Sequence, residues 1–279
     1  MNESSRDKSV VLHIGLSKTG TTFLQTHIFP KVPGIYYLGT PVSAAQRSNR
    51  GTRFVLRNFR RLLSSEPTSL SKVTALILSA FTRGRLLLIS HELLSMGGTL
   101  PVWTNKGKSL EAFIKGLREL KRLTLGRELK ILVSFRDSAE WVASRYAESS
   151  RSWDNPSQAD FEKRVLDILA DEAAYPAFGW LHKSRALDAL RGVVGSENVF
   201  SYQLEDFANK PDQVIQMILA FMGIGSGIDS EWLRESFPDK ENVRRDDQGG
   251  WRLEGTTERL VLSENLAERI REHFSDDRV

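Results

Sequence analysis

The chain has 279 residues, 40% of them hydrophobic, which is enough to bury the core of one large or two smaller α/β domains. It contains no cysteine, which excludes disulfides and thiolate metal sites. Its formal net charge of +4 favours anionic ligands but is too small to indicate a nucleic-acid-binding protein.

The N-terminal nine residues are polar and charged and lack the apolar segment of a signal peptide. No apolar run elsewhere is long enough for a transmembrane helix, so we expect a cytoplasmic protein. The five histidines lack the spacing of metal ligands, and no metal is expected. Because no proline-rich linker or low-complexity tract interrupts the chain, we predict a single domain over residues 9–279, after a disordered N-terminus over 1–8.

Residues 10–25, with the sequence VVLHIGLSKTGTTFLQ, combine three features of a phosphate-binding element. The first five are mostly apolar and predict a strand that is buried on both faces of a parallel sheet. Gly15 and Gly20 then bracket four residues, and a helical pattern follows until Pro30. A strand, a glycine-bracketed loop and a helix in this order wrap backbone N–H groups around a phosphate.

This loop differs from the Walker A pattern, because Thr21 stands where an ATP-binding loop has its lysine and Lys18 lies inside the loop. The arrangement resembles the 5′-phosphosulfate loop of the sulfotransferases that use 3′-phosphoadenosine 5′-phosphosulfate (PAPS), in which a lysine precedes a Gly-Thr-Thr run. The resemblance implies that Lys18 is catalytic and contacts the transferring group. It implies these cofactor-binding residues in the loop: Ser17, Lys18, Thr19, Gly20, Thr21 and Thr22.

A short strand is predicted over residues 35–39, and an arginine-rich segment follows it. Six arginines and no acidic residue lie between Arg47 and Arg61. Their spacing predicts an amphipathic helix with a basic stripe opposite an apolar side that includes Leu56 and Phe59. Such a stripe is either a solvated helix face or a surface for an anionic acceptor, a partner or a membrane.

After a predicted helix over residues 69–82, the apolar run 85–90 predicts a buried strand with His91 and Glu92 at its carboxyl end. Ligands of open α/β sheets bind beyond this end of the strands. By the same resemblance, cytosolic sulfotransferases use a histidine at a strand end as general base, and other branches use a glutamate. The Ser-His-Glu order resembles the Ser-x-Glu of bacterial members, which favours Glu92 over His91. Since adjacent strand residues point to opposite sides, only one of the two is expected to reach the site.

A helix is predicted over residues 109–123, a strand over 129–135 and a further helix over 138–149. Arg136 directly follows the strand, and Ser144 lies eight residues further, in the helix. This arrangement resembles the sulfotransferase site for the 3′-phosphate of the nucleotide, where arginine supplies a bidentate charged fork and serine adds a donor. The alternative is a structural pair between Arg136 and Asp137 that closes the turn.

The remaining segments predict helices over residues 157–170, 180–190, 211–222 and 257–274 and a strand over 198–202. Residues 197–223 resemble the late strand and helix of bacterial sulfotransferases, although Gln203 stands where these usually have glutamate. The basic, glycine-containing stretch 244–252 resembles the loop that covers the 3′-phosphate in cytosolic sulfotransferases. That resemblance would make Arg244, Arg245 and Arg252 cofactor ligands, and an ordinary surface loop is the alternative.

These motifs predict an α/β fold, a three-layer sandwich with a central, mostly parallel sheet and a P-loop-like phosphosulfate-binding loop. The resemblance implies transfer of a sulfuryl group from PAPS to a hydroxyl or amine of a small-molecule, glycan or lipid acceptor. The product would be adenosine 3′,5′-bisphosphate (PAP), and the chemistry needs no metal. In-line transfer requires aimed hydrogen-bond donors and a general base. The segments that would select the acceptor carry no readable code, although the arginine stripe would suit an anionic one.

Two other functions stay open. A P-loop kinase or NTPase that uses ATP and Mg²⁺ would have lysine in place of Thr21 and an aspartate at the end of an apolar strand, whereas Arg136 precedes Asp137 here. A non-enzymatic module that binds an anion or a partner would use the arginine stripe, and it would leave Lys18, Arg136 and Ser144 unexplained. The sequence does not indicate the oligomeric state.

Overall fold

The computed structural model describes residues 8–39, 50–82, 86–96, 101–224, 250–254 and 256–275. The side chains of residues 50–55 and 93 lie outside this description. Two compact units divide the chain: one draws on residues 1–95, 111–135 and 187–238, and the other on 96–110, 136–186 and 239–279. The single domain over residues 9–279 stays a prediction, and the disordered N-terminus falls almost entirely outside the described residues.

The first unit contains a five-stranded parallel sheet with the strand order β2-β3-β1-β4-β5. The strands are β1 (Ser9–His13), β2 (Ile35–Gly39), β3 (Leu86–Ser90), β4 (Glu128–Phe135) and β5 (Val199–Gln203). Every residue of β1 and β3 is buried, as expected of central strands that are covered on both faces. The predicted α/β fold with a central parallel sheet between helices is therefore confirmed.

The helices follow the predicted order closely. They are α1 (Thr21–Phe23), α2 (Arg50–Leu63), α3 (Leu70–Ala80), α4 (Leu110–Leu123), α5 (Ser138–Ser149), α6 (Gln158–Ala170), α7 (Lys183–Val194), α8 (Leu204–Asn209), α9 (Pro211–Phe221) and α10 (Glu264–His273). The short α1 continues as a π-helical turn over Leu24–Ile28 and a 3₁₀ turn over Phe29–Lys31. The predicted helix after the loop thus exists, but most of it is not α-helical.

An apolar cluster packs against one face of the sheet in the first unit. It combines side chains from the strands, from the turns that follow α1 and from α9, including Val11, Leu88, Leu132, Leu24, Ile28, Phe29, Ile215 and Ile218. Because side chains alternate along a strand, His13 lies on the same face as Val11, at the carboxyl end of β1. The His13 ring is 1% exposed and meets the Phe29 ring edge-on, with 5.1 Å between the ring centroids.

The second unit includes α5, α6, α10 and a two-stranded antiparallel hairpin of β6 (Trp251–Arg252) and β7 (Arg259–Leu260). The predicted helix over residues 257–274 is wrong in its first third, because residues 259 and 260 pair with β6 instead. The helix begins only at Glu264, where the Ser263 hydroxyl accepts a hydrogen bond from the Leu266 N–H at 3.4 Å.

Candidate active site

The loop between β1 and α1 stays paired with β4 as it leaves the sheet. The Ile14 N–H donates to the Leu132 carbonyl at 2.9 Å, and the Leu16 N–H donates to the Ser134 carbonyl at 3.2 Å. The ladder between β1 and β4 therefore extends three residues past the last residue of β1, so the entry to the loop is fixed by backbone hydrogen bonds rather than by side chains alone.

Gly15 lies at the most crowded point of this loop. A Cβ atom added to Gly15 would lie 2.2 Å from the Ser134 Oγ atom and 2.3 Å from the Thr21 Cγ2 atom. Both neighbours are short, buried side chains that have little room to move. Close approach of the backbone to other groups, rather than an unusual φ angle, is thus what requires glycine here.

The three threonines of the loop have different surroundings. The Thr19 side chain is fully buried, and its hydroxyl donates to the Leu16 carbonyl and lies 2.5 Å from the Ser134 hydroxyl. Thr21 is 2% exposed, whereas Thr22 is exposed. The Thr19 hydroxyl therefore holds the loop in shape, and Thr22 is the threonine whose side chain is open to a ligand.

Lys18 and Gly20 both have left-handed backbone conformations, with φ angles of 70° and 74°. For a lysine this conformation is unfavourable by about 1 kcal/mol or more, and strained residues of this kind concentrate at functional sites. The Lys18 side chain is partly exposed, and the neighbouring Ser17 is buried. The loop thus combines a fixed backbone with an amine at its surface.

His91 and Glu92 lie just beyond β3, next to the start of the loop. The His91 N–H donates to the His13 carbonyl at 3.3 Å, so the ends of the neighbouring strands β1 and β3 are linked at this point. Glu92 begins a 3₁₀ turn, and its carbonyl accepts a hydrogen bond from the Ser95 hydroxyl at 3.1 Å. Since neither His91 nor Glu92 is part of the strand, strand alternation does not decide between them, and both are partly exposed.

In the second unit, Arg136 lies between the end of β4 and α5. Its Nη2 atom donates to the Glu140 carboxylate at 2.9 Å, and 18% of its side chain is exposed. Asp137 caps α5 by accepting from the Glu140 N–H at 2.9 Å, and its other oxygen accepts from the Arg271 Nε atom at 2.8 Å. The predicted alternative pair for Arg136 was Asp137, whereas the observed partner is Glu140. Ser144 is partly exposed on α5.

Several predicted residues lie outside the described residues. These are Arg47, Arg244 and Arg245, together with the side chains of Arg50 and Arg53. The rest of the stripe is on α2, where Arg57, Arg60 and Arg61 are exposed and Leu56, Phe59 and Leu62 are buried. The amphipathic character predicted for this helix is confirmed in the part that can be described.

Two side-chain clusters were not predicted. In the first unit, His13, Ser90 and Gln25 form a buried hydrogen-bonded group. In the second unit, the Glu172 carboxylate accepts from the Nε2 atoms of His182 and His273, each at 2.9 Å. Each cluster includes a contact between residues far apart in sequence, 77 residues for His13 and Ser90 and 101 for Glu172 and His273, so local spacing alone does not indicate either cluster.

Among the residues that the structure describes, no group of three or more histidine, aspartate and glutamate side chains is arranged to hold a metal ion. Within the same residues, no helix combines the length and the apolar character that are needed to cross a membrane.

No protein-family model matches the chain, and no curated protein matches its sequence. Among solved structures, the sulfotransferase from Alicyclobacillus acidocaldarius is similar, with 16% identity, a TM-score of 0.46 and coverage of 81% of this chain and 88% of the other. Mouse sulfotransferase SULT7A1 complexed with PAP has 16% identity and a TM-score of 0.46, over 96% of this chain and 76% of its own. The sulfotransferase domain of the Synechococcus PCC 7002 olefin synthase has 15% identity and a TM-score of 0.38, over 97% and 90% of the two chains.

Proposed function

We propose that this protein is a sulfotransferase that moves a sulfuryl group from PAPS to a hydroxyl or amine of an acceptor. The observation that carries the proposal is the structure of the loop after β1. The loop backbone at Gly15 leaves no room for a Cβ atom, and three residues further along the same loop the side chain of Lys18 is partly exposed. A fixed backbone with a cation at its surface is suited to an anionic group that gains charge during reaction.

The loop has donors that fit a 5′-phosphosulfate group. The backbone N–H groups of residues 19–22 stand at the start of a helical segment, where peptide dipoles favour negative charge. We assign the phosphate to these N–H groups and to the Thr22 hydroxyl, with Ser17, Gly20 and Thr21 shaping the loop around it. When bound, PAPS supplies an activated sulfuryl group, and Lys18 would hold the oxygen that bridges sulfur and phosphorus.

The 3′-phosphate is assigned to Arg136 and Ser144, the residues that the sequence motif indicates for it. Arginine has five N–H donors, and only Nη2 of Arg136 is engaged by Glu140 in the contacts described above, which leaves donors for a phosphate. Ser144 is partly exposed and can add a hydroxyl donor. Arg244 and Arg245 remain further candidate ligands of this phosphate from the sequence alone.

The general base is assigned to Glu92, with His91 as the other candidate. Both leave the sheet beside the loop, because β1 and β3 are paired in register from Ser9 and Leu86 to His13 and Ser90. A base must be within hydrogen-bonding reach of the acceptor proton, and a position near the loop satisfies this requirement. We expect the acceptor to be a small molecule, a glycan or a lipid, and the reaction to be cytoplasmic.

The surroundings of Asp137 weigh against a kinase or NTPase. An aspartate after a central strand would hold Mg²⁺ in that class, whereas the Asp137 carboxylate here accepts from the Glu140 N–H and from Arg271. The alternative of a non-enzymatic binding module rests on the exposed arginines of α2. One of these, Arg61, is paired with an acidic residue, with 3.7 Å between its Nε atom and the Glu66 Oε2 atom. That module would need neither Lys18 nor Arg136.

Calorimetric binding of PAP, compared with ATP and Mg²⁺, tests the proposal. We expect micromolar binding of PAP, weakened about tenfold to a hundredfold by Arg136→Ala, which removes a charged hydrogen-bond donor. Arg164→Ala is a matched control, because Arg164 also pairs with a carboxylate one helical turn away, at 2.8 Å from Asp160. Tight binding of ATP and Mg²⁺ without binding of PAP would instead support a kinase.

Lys18→Ala separates an enzyme from a binding module. It should abolish transfer of radiolabelled sulfate from PAPS in a screen of acceptors, while the exposed Lys31, changed to Ala, serves as a control on the same segment of the first unit. Full transfer by the Lys18→Ala variant would contradict the role that we assign to Lys18.

A further inference from the structure

The Ser90 hydroxyl is the centre of a buried polar group beneath the loop. The Gln25 Nε2 atom donates to the Ser90 Oγ atom at 3.0 Å, and the His13 Nδ1 atom is hydrogen-bonded to the same oxygen at 2.6 Å. All three side chains are at least 96% buried. Buried polar groups are costly unless they are paired, so their presence in an otherwise apolar core calls for a reason.

The three residues belong to the three segments that carry the proposed chemistry. His13 is the last residue of β1, directly before the loop. Gln25 lies in the π-helical turn that follows α1, one helical turn beyond the loop, and Ser90 is the last residue before His91 and Glu92. One hydroxyl therefore joins the entry of the loop, its exit and the segment of the candidate base.

The backbone around Gln25 is irregular in a way that fits this role. Residues Leu24–Ile28 form a π-helical turn, closed by a hydrogen bond from the Phe29 N–H to the Leu24 carbonyl. The Gln25 carbonyl accepts from the Tyr37 hydroxyl at 3.4 Å. Single π-helical turns occur frequently at functional sites, where they redirect side chains. Here the turn carries Gln25, which contacts Ser90 through its side chain and Tyr37 through its backbone.

We infer that His13, Ser90 and Gln25 are positioning residues, which hold the loop after β1 in the conformation that binds the 5′-phosphate of the cofactor. This inference rests on the proposed function and adds residues that touch neither cofactor nor acceptor. They act through the backbone at the two ends of the loop. Removing the Ser90 hydroxyl would take away a side-chain contact on both sides of the loop at once, while the backbone hydrogen bonds to β4 at the loop entry remain.

Only one nitrogen of His13 takes part in the group. Among the described residues, its Nε2 atom has no hydrogen-bond partner, whereas Nδ1 contacts Ser90. Burial keeps the ring neutral, because it lowers the pKa of His13 to about 3. The inference therefore predicts that a side chain which reproduces Nδ1 alone is sufficient. Asparagine places a polar atom near the position of Nδ1, and glutamine places one near that of Nε2.

The test compares the affinities of PAP and adenosine 3′-monophosphate, which differ in the 5′-phosphate, by calorimetry. We expect Ser90→Ala, which loses the contacts to Gln25 and His13, to bind PAP about tenfold more weakly and to bind the monophosphate unchanged. His13→Gln should weaken the binding of PAP as Ser90→Ala does, whereas His13→Asn should bind PAP as tightly as the wild type. Ser150→Ala is a matched control, because Ser150 is also fully buried and its hydroxyl accepts from the Glu254 N–H at 2.8 Å.

The outcomes separate the inference from the proposed function. The positioning role would be overturned if Ser90→Ala lost affinity equally for PAP and the monophosphate, or if its affinity for PAP were unchanged. Equal affinities of His13→Gln and His13→Asn for PAP would overturn it as well. If Ser90→Ala does not fold, the two His13 variants decide the question. Failure of the wild-type protein to bind PAP would overturn the proposed function itself.

Discussion

The sharpest prediction concerns Gly15→Ala. The added Cβ atom would lie 2.2 Å from the Ser134 Oγ atom and 2.3 Å from the Thr21 Cγ2 atom, far inside van der Waals contact. Overpacking of a buried site costs about 1–3 kcal/mol, and two simultaneous clashes with short side chains place this variant at the upper end, near 3 kcal/mol. Alanine also lowers the conformational entropy of the unfolded chain, which stabilises the folded state by about 0.4–1 kcal/mol and offsets part of this cost. We therefore expect the free energy of unfolding to fall by about 2 kcal/mol.

Urea unfolding followed by far-UV circular dichroism measures this loss by linear extrapolation. Ser134→Ala and Thr21→Ser each remove one clashing atom, so Gly15→Ala should cost much less stability in a Ser134→Ala/Thr21→Ser background than in the wild type. Gly192→Ala is the matched control, because a Cβ atom there meets nothing within 4 Å. That variant should be about 0.5–1 kcal/mol more stable than the wild type, since Gly192 lies inside α7. A Gly15→Ala variant as stable as Gly192→Ala would refute the crowding that we derive.

Three further predictions concern pH and helix capping. Burial lowers the pKa of His13 to about 3, below its unfolded value of 6.5. The buried neutral ring therefore costs no free energy of unfolding above pH 6.5, and below that pH it lowers the free energy of unfolding by about 1.4 kcal/mol per pH unit as the pH decreases toward 3. His13→Asn should remove this slope in urea unfolding at pH 7, 6 and 5. Burial acts to raise the pKa of Glu172, but hydrogen bonds and charge from His182 and His273 outweigh it and lower the pKa. Its contribution to stability is therefore present above the unfolded pKa of 4.5 and is lost as the pH falls through the folded pKa, so in thermal unfolding Glu172→Gln should destabilise above pH 4.5 and progressively less as the pH falls further. Asp137→Ala should cost about 1–2 kcal/mol and Asp137→Asn less, because asparagine can still cap α5, and scanning calorimetry distinguishes the two.

Most of the fold could be predicted because its signals are local. The apolar runs of β1, β3 and β4 and the helical spacing of α4, α5 and α6 each depend on fewer than 20 neighbouring residues. The π-helical turn and the β6–β7 hairpin could not be predicted in this way. Contacts distant in sequence lie at both: the Gln25 side chain bonds to Ser90, 65 residues away, and the Gln158 side chain bonds to the backbone of Val261, directly after β7 and 103 residues away.

The loop itself was recognisable because a phosphate-binding loop needs its glycines and its lysine within one short segment. Its internal hydrogen bonds were not, since Thr19 contacts Ser134, 115 residues away. For the same reason, the sequence did not show that the Thr19 hydroxyl is used inside the protein. Residue type and spacing indicate which groups are available, and the partner of each group depends on the sheet order.

One feature of the sequence does indicate the buried polar group, but it can be interpreted only when the strand order and register of the sheet are known. Three neighbouring strands are apolar and then turn polar on one face near their carboxyl ends, at His13, Ser90 and Ser134. The register pairs His13 with Ser90 and with Leu132, so Ser134 lies two residues further along the same face. A buried polar side chain is stable only when it is hydrogen-bonded: Ser134 bonds to Thr19 within the loop, and Ser90 bonds to His13 before the loop and to Gln25 after it. The polar ends of the strands are therefore part of the loop's support, and Ser134→Ala should loosen the loop through Thr19 as Ser90→Ala does through Gln25.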